Sequence, residues 1–235
     1  DVDSTLACSL VARRHNVPLC HVEAGLRSGD MTMPEEINRI MTDSITDYFF
    51  VTSKNAEENL KLEGKKENIF FVGNTMIDTL IDNIPRLKKP DSLNFDEYFL
   101  LTMHRPSNVD NKDELLSVLK AISNESNLPI IFPVHPRTKK NLHSQNLKNI
   151  NLVDPMPYLE FIYLLNNAVG VITDSGGITE EATFLNIPCI TLRNTTERPE
   201  TVSLGSNILV GSDKESLQKN INLIQNKKWK ESRVP

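Results

Sequence analysis

Short apolar runs, many of them β-branched, alternate along the chain with stretches whose apolar residues recur at helical spacing. Leu115, Leu119 and Ile122 share one face of such a stretch. Because strands that alternate with helices form parallel sheets covered on both faces, the pattern predicts an α/β fold. The predicted strands are 18–23, 48–52, 69–72, 98–102, 130–134, 150–153, 169–173 and 189–192. The predicted helices are 3–15, 34–45, 54–63, one starting near 74, 112–123, 138–147, 157–166 and 177–185.

A segment rich in proline and charge, 84–91, separates two series of these elements. Such a composition suits a hinge between domains. We therefore expect a first domain over 1–88, a second over 89–212, and a C-terminal helix and tail over 213–235.

The composition is that of an ordinary globular protein, with 39% hydrophobic and 24% charged residues. A net charge of −5 without a basic block argues against nucleic acid or an acidic membrane surface as the main partner. No apolar run has the length of a membrane span and no signal segment opens the chain, which predicts a cytoplasmic location. Cys8, Cys20 and Cys189 form no CxxC pair, so we expect core residues rather than a metal site or disulfides. Neither a GxGxxG nor a GxxxxGK[ST] motif supports an NAD or P-loop site.

The chain opens at Asp1 without an initiator methionine, at the front of a helix that Asp3 or Ser4 could cap. It stops at Pro235 without a closing element. From these two ends we expect an internal piece of a longer protein.

The turn Ser175-Gly176-Gly177 joins a predicted strand directly to a predicted helix. Glycines let the backbone approach a ligand, and the free N–H groups and positive dipole end of a helix attract an anion. The alternative is a turn that only caps the helix. The neighbouring strand ends must decide between the two.

Further polar groups follow other predicted strands, where ligands of open parallel sheets bind. His104 with Arg105 can supply a proton-transfer group beside a fixed positive charge, which suits a phosphorylated substrate. His135 ends another strand, and for either histidine a structural role is the alternative. In the segment 195–200, Arg198 could bind phosphate, unless the segment is a charged surface turn.

Glu23 ends an apolar strand and fits a general acid or base, the alternative being an ion-pair partner for Arg27 or Arg39. Glu35 and Glu36 open a helix, where acids are favoured by the helix dipole alone.

Seven segments together resemble, in order, the motifs of the non-hydrolysing UDP-N-acetylglucosamine 2-epimerases, a family similar to GT-B glycosyltransferases. The segments are His21-Val-Glu-Ala-Gly-Leu-Arg27, Pro34-Glu-Glu-Ile-Asn-Arg39, Gly73-Asn-Thr-Met-Ile-Asp78, His104-Arg105, Pro133-Val-His135, Asp174-Ser-Gly-Gly-Ile-Thr-Glu-Glu181 and Thr195-Thr-Glu-Arg-Pro-Glu200. The resemblance implies two Rossmann-like domains with parallel sheets. It also implies that the first is incomplete, because family members open with further βαβ units and end in a helix that returns to the first domain.

The resemblance implies roles for individual residues. The catalytic positions it matches are Asp1, Glu23, Glu35 and His104. The substrate-binding positions are Arg105, His135, Phe161 (beside uracil), Ser175, Gly176, Gly177, Glu181 and Arg198. Two departures from the family pattern are Met156, where relatives often have glutamine near the base, and Pro106, which replaces an arginine connected with a second, regulatory site.

The implied reaction interconverts UDP-GlcNAc and UDP-ManNAc, without cofactor or metal, to supply ManNAc units for cell-surface polysaccharide. C2 of the sugar is a poor acid, so UDP is eliminated to leave a glycal and then adds back; the proton-transfer roles stay open among Asp1, Glu23 and Glu35. The expected partners are these UDP-sugars and, at full length, a second copy of the chain. The alternatives are a hydrolysing 2-epimerase, an epimerase of a related UDP-amino sugar, and a non-catalytic UDP-binding fragment. The isolated fragment is expected to be inactive and poorly stable.

Overall fold

Parallel strands alternate with helices through the computed structural model, which describes residues 1–134, 138–139, 142 and 147–234. Its contacts divide the chain into two compact units, Asp1–Asp78 with Thr195–Glu200 and Thr79–Asn194 with Thr201–Pro235. The predicted domain limits at 88/89 and 212/213 stay predictions. His135 and most of the predicted helix 138–147 lie outside the described residues.

The first unit is built on a parallel sheet of three strands in the order β1-β2-β3. Its elements are α1 (Asp3–Arg14), β1 (Cys20–Val22), α2 (Pro34–Ile45), β2 (Tyr48–Val51), α3 (Lys54–Leu62), β3 (Ile69–Phe71) and the start of α4 (Thr75–Asn83). A small core forms between the sheet and α3, around Val51, Ala56 and Leu60. Val22 on β1 and Phe71 on β3 are exposed. Part of the apolar surface of this sheet is therefore uncovered.

The second unit holds a parallel sheet in the order β6-β5-β4-β7-β8-β9. Its elements are the end of α4, a 3-10 helix (Ile84–Arg86), β4 (Phe99–Thr102), α5 (Pro106–Val109), α6 (Lys112–Glu125), β5 (Ile130–Pro133), β6 (Ile150–Val153), α7 (Tyr158–Asn167), β7 (Gly170–Thr173), α8 (Gly176–Phe184), β8 (Cys189–Thr191), the end of α9 (Pro199–Ser203), β9 (Asn207–Leu209) and α10 (Lys214–Gln225). The central strands β4 and β7 are buried throughout and pair from Phe99↔Gly170 to Thr102↔Thr173. Their carboxyl ends therefore lie side by side, and the loops that follow them meet.

Most element limits differ from the predicted ones by a residue or two, and one difference has a structural cause. The first strand ends at Val22 because Glu23 has a φ of +67°, which takes the backbone out of the extended region. Two short helices, α5 and α9, and the strand β9 were not predicted.

Two further expectations are wrong. The N-cap of α1 is Val2 and makes no side-chain hydrogen bond; the Asp3 carboxylate instead accepts a hydrogen bond from Asn38 at 2.9 Å. Cys8 and Cys20 are exposed and only Cys189 is buried, because α1 and the edge strand β1 leave one face uncovered. No helix among the described residues is long and apolar enough to cross a membrane.

Candidate active site

A fully buried carboxylate, Asp174, ties together the loops that follow β4 and β7. Its Oδ2 accepts hydrogen bonds at 3.0 Å from the backbone N–H groups of His104 and Arg105 and from Nδ2 of Asn108. Arg105 also donates from Nε to the Asp174 carbonyl oxygen. The predicted pair His104-Arg105 is thus fixed directly beside the predicted Ser175 turn.

The other oxygen of Asp174 holds the His104 ring. Nδ1 of His104 lies 2.8 Å from Oδ1 of Asp174, while 57% of the His104 side chain is exposed. The hydrogen bond to Asp174 raises the pKa of His104, against the opposing effects of burial and of Arg105. Burial alone would raise the pKa of Asp174, but hydrogen bonds from His104, Asn108 and Arg105 outweigh it and lower that pKa. The pair therefore favours an imidazolium that can face a negatively charged ligand.

Ser175 is the N-cap of α8, as the interpretation of the turn as a helix cap predicted. Its Oγ accepts from the N–H of Ile178 at 3.5 Å, and its own N–H donates to Oγ1 of Thr173 at 3.0 Å. Gly176 and Gly177 lie in the first turn of the helix. The N–H groups of a first turn have no hydrogen-bond acceptors within the helix. Capping and anion binding are therefore compatible at this turn.

Farther along α8, Glu181 is 6% exposed and accepts a hydrogen bond of 2.8 Å from the Tyr158 hydroxyl. Burial raises the pKa of Glu181, and the bond from Tyr158 opposes that rise. Tyr158 opens α7, and the half-buried Phe161 follows in the same turn. A buried carboxylate with one oxygen already engaged can accept hydrogen bonds from substrate hydroxyls with the other.

In the first unit, Glu23 pairs with Arg198. Nη2 of Arg198 lies 3.0 Å from Oε1 of Glu23, and Nη1 donates to Oγ1 of Thr52 at 3.1 Å. The alternative that Glu23 pairs with Arg27 or Arg39 is wrong. Arg27 instead pairs with Asp43 and Glu63, and Arg39 pairs with Asp1 and Glu36.

The turn that carries Glu23 rests on Asp43, a fully buried residue of α2. Nδ1 of His21 lies 2.6 Å from Oδ1 of Asp43, and the N–H of Gly25 donates to Oδ2 at 3.0 Å. Arg27 completes the group at 2.8 Å. Burial would raise the pKa of Asp43, but His21, Arg27 and the Gly25 N–H together lower it. The residues on both sides of Glu23 are therefore held by one carboxylate.

The other two predicted catalytic carboxylates, Asp1 and Glu35, lie at or near α2. Oδ2 of Asp1 lies 2.9 Å from Nη1 of Arg39, which is 3% exposed and also pairs with Glu36 at 2.9 Å. Glu36 is buried, and its carboxylate accepts hydrogen bonds from two backbone N–H groups of the loop before α2, those of Ser28 and Gly29. Glu35 is half-buried in the first turn. Of the two acids at this helix start, Glu36 has the structural role.

Sequence reasoning did not single out Asp43 and Tyr158, or the role of Asp174. The sequence did hold a signal for the two aspartates. Each is a charged residue within an apolar run or on the apolar face of a helix, and a buried charge needs a partner. The partners themselves are distant in sequence. Among the described residues, no cluster of histidine, cysteine and acidic side chains could hold a metal ion.

The family model for UDP-N-acetylglucosamine 2-epimerase matches residues 1–234. The chain belongs to this family. It is 47% identical to the UDP-N-acetylglucosamine 2-epimerase of Methanocaldococcus jannaschii, over 98% of this chain and 69% of that protein. It is 42% identical to the UDP-2,3-diacetamido-2,3-dideoxy-D-glucuronate 2-epimerase of Pseudomonas aeruginosa, over 92% of this chain and 63% of that protein.

The crystal structure of the M. jannaschii enzyme in complex with UDP-GlcNAc and UDP is similar to this chain with a TM-score of 0.87, at 46% identity. The match covers 98% of this chain and 69% of that one. A putative UDP-N-acetylglucosamine 2-epimerase from Listeria monocytogenes matches with a TM-score of 0.84 at 31% identity, over 97% of this chain and 64% of its own. These structures confirm the predicted α/β, GT-B-like fold class. The chain spans about two thirds of the length of the relatives named here.

Proposed function

We propose that this protein interconverts UDP-GlcNAc and UDP-ManNAc by eliminating UDP and adding it back, as a 2-epimerase that needs no cofactor. The observation that carries the proposal is 46% identity, over 98% of the chain, to an enzyme whose crystal structure holds UDP-GlcNAc and UDP. We infer the same substrates because the motifs quoted above run through both units.

In the second unit, we assign UDP to the α8 N-terminus. Ser175, the N-cap, and the N–H groups of Gly176 and Gly177 suit the pyrophosphate, since a helix N-terminus attracts negative charge. Glu181 suits the ribose hydroxyls, and Phe161 suits the uracil ring. When the bond from the sugar to UDP breaks, negative charge grows on the pyrophosphate.

Two neighbouring residues support that charge. The exposed ring of His104, whose Nδ1 is held by Asp174, can stabilise the pyrophosphate or give it a proton. Arg105 adds a fixed positive charge in the same loop. His135, which lies outside the described residues, is a proposed substrate contact from its sequence motif alone.

In the first unit, we assign proton transfer at C2 to carboxylates. C2 carries an acetamido nitrogen and no adjacent carbonyl, so its hydrogen becomes removable only as UDP leaves and positive charge develops on the ring. One carboxylate takes this proton, and protonation from the opposite face followed by return of UDP gives the epimer. Asp1, Glu23 and Glu35 share these roles, and the choice between them stays open.

A second candidate is epimerisation of a diacetamido uronic acid linked to UDP. The similarity to the P. aeruginosa enzyme, at 42% identity, favours it. The two candidates share the reaction at C2 and differ in the substituents at C3 and C6. The relative kcat/KM for the two UDP-sugars decides between them.

The deciding experiment follows the full-length protein with UDP-GlcNAc in D₂O by proton NMR. We expect a mixture of UDP-GlcNAc and UDP-ManNAc in which C2 has gained deuterium. Release of free ManNAc would instead show a hydrolysing enzyme, and UDP binding without turnover of either UDP-sugar would show a nucleotide-binding module. A cytoplasmic location and a homodimer belong to the same proposal, and light scattering of the purified protein tests the dimer.

A further inference from the structure

Arg198 is buried in the first unit, at the carboxyl ends of β1 and β2. Only 3% of the residue is exposed, and its guanidinium spans the ends of β1 and β2, from Oε1 of Glu23 at 3.0 Å to Oγ1 of Thr52 at 3.1 Å. The backbone is fixed as well, since the Arg198 N–H donates to Oγ1 of Thr196 at 3.1 Å. The whole segment Thr195–Glu200 belongs to the first unit by its contacts.

This geometry fixes the direction of the guanidinium plane. Two nitrogens of one planar fork reach two acceptors on neighbouring strand ends, which a flexible ammonium group cannot reproduce. A buried positive charge is stable only with a close counter-charge, and Glu23 supplies it. The Glu23 carboxylate, 35% exposed, is consequently held in one position while part of it still faces outward.

Glu23 needs such support because of its backbone. Its φ of +67° lies in the left-handed region, which is unfavourable for a residue with a side chain. Asp43 fixes the flanking positions through the His21 ring and the Gly25 N–H, but it does not contact the Glu23 carboxylate itself. The side chain of Glu23 is oriented by Arg198.

We propose that Arg198 is the positioning residue for Glu23, holding its carboxylate in place for proton transfer at C2. The inference rests on the proposed function, in which Glu23 acts on the sugar. It differs from the role that the resemblance implies, a contact of Arg198 with UDP. The two roles predict different results for UDP binding: loss of a phosphate contact weakens it, whereas loss of a positioning residue leaves it nearly unchanged.

The test compares Arg198→Lys and Thr52→Val with the wild-type protein at full length. Lysine keeps the charge and loses the fork, whereas valine removes only the second acceptor of the guanidinium. We expect Arg198→Lys to lower kcat for epimerisation by about 100-fold, since small displacements of a catalytic group cost that much. Thr52→Val should lower kcat less, and both variants should bind UDP in calorimetry within about threefold of wild type.

The double variant Glu23→Gln with Arg198→Lys completes the cycle. If Arg198 acts through Glu23, the double variant should be no slower than Glu23→Gln alone. Two results would overturn the inference and support the phosphate contact. In one, Arg198→Lys weakens UDP binding tenfold or more. In the other, Arg198→Lys lowers kcat of the Glu23→Gln enzyme by the same factor as it lowers kcat of the wild-type enzyme.

Failure of the proposed function gives a different result, because the wild-type protein itself would then turn over neither UDP-sugar. The same four proteins still test the pair in that case, by unfolding. A double-mutant cycle in urea should show coupling between Glu23 and Arg198, and additive effects overturn their pairing.

Discussion

Asp174→Asn should destabilise the second unit and do so more strongly at low pH. The asparagine can keep one oxygen toward the backbone N–H groups of His104 and Arg105 and toward Asn108, and its amide group then faces Nδ1 of His104. Hydrogen bonds to a charged acceptor contribute about 1.5–3 kcal/mol each, against about 1 kcal/mol for a neutral one. Three such bonds reach Oδ2, so the loss comes to roughly 3 kcal/mol.

The pH dependence follows from the raised pKa of His104. The stabilisation that this shift gives is fully present below the unfolded pKa, about 6.5, and is lost as the pH rises through the higher folded pKa. Asp174→Asn removes the cause of the shift. The destabilisation should therefore be larger at pH 6 than at pH 8.5, and the pKa of His104 should fall.

Urea unfolding at the two pH values and a proton NMR titration of the His104 ring measure these effects. A loss of roughly 3 kcal/mol should lower the melting temperature by about 6–12 °C for a protein of this size. Asn108→Ala is the matched control, since it removes one donor from Asp174 and leaves the His104 ring contact. It should cost about 1–2 kcal/mol with little difference between the two pH values. An unchanged His104 titration in Asp174→Asn would show that Asp174 does not raise the pKa of His104.

Two further predictions concern the first unit. Gly25→Ala should cost about 3 kcal/mol or more in urea unfolding, because a Cβ there would lie 2.2 Å from the Ala56 carbonyl oxygen; Gly29→Ala, with a similar φ and open space, should cost only about 1–2 kcal/mol. Equal losses would contradict this assignment of the close contact. In circular dichroism from pH 7 to pH 2, the lowered pKa values of Asp43 and Glu36 predict stability that is present above about pH 4.5 and lost as the pH falls through the lowered values. Asp43→Asn should lessen that loss, and an unchanged acid transition in this variant would count against the role of Asp43.

Most strands of the two sheets could be predicted from the sequence, because strands buried in a core consist of apolar residues. Runs such as 98–102 and 169–173 became β4 and β7, buried on both faces as central parallel strands are. The strand β9 was not predicted because it is three residues long and begins with a polar residue, Asn207. That asparagine is buried and accepts a hydrogen bond from Thr191 at 2.7 Å, a partner sixteen positions away. The short length of the strand and its polar first residue together explain why it was not predicted.

In the candidate site, too, local features could be predicted from the sequence and long-range contacts could not. The Ser175 turn was predictable, because its capping serine and glycines are consecutive in sequence. The partner of Glu23 was not, because Arg198 lies 175 positions away and nearer arginines offered equally plausible charges. Those nearer arginines turned out to be needed elsewhere, Arg27 by Asp43 and Arg39 by Asp1 and Glu36. Which buried charges pair with each other depends on the whole fold, so the pairs cannot be predicted from the spacing of residues in the sequence.

One arrangement recurs in the two units and explains how each presents a reactive side chain. At the end of a parallel strand, the backbone N–H groups of the following loop have no ladder acceptor, and a buried carboxylate satisfies them. Asp43 does this for the loop of Glu23 and Asp174 for that of His104, and each also binds a histidine through Nδ1. The difference lies in exposure, 8% for the side chain of His21 and 57% for that of His104. The same pair therefore serves structure where it is covered and can serve chemistry where its ring meets solvent.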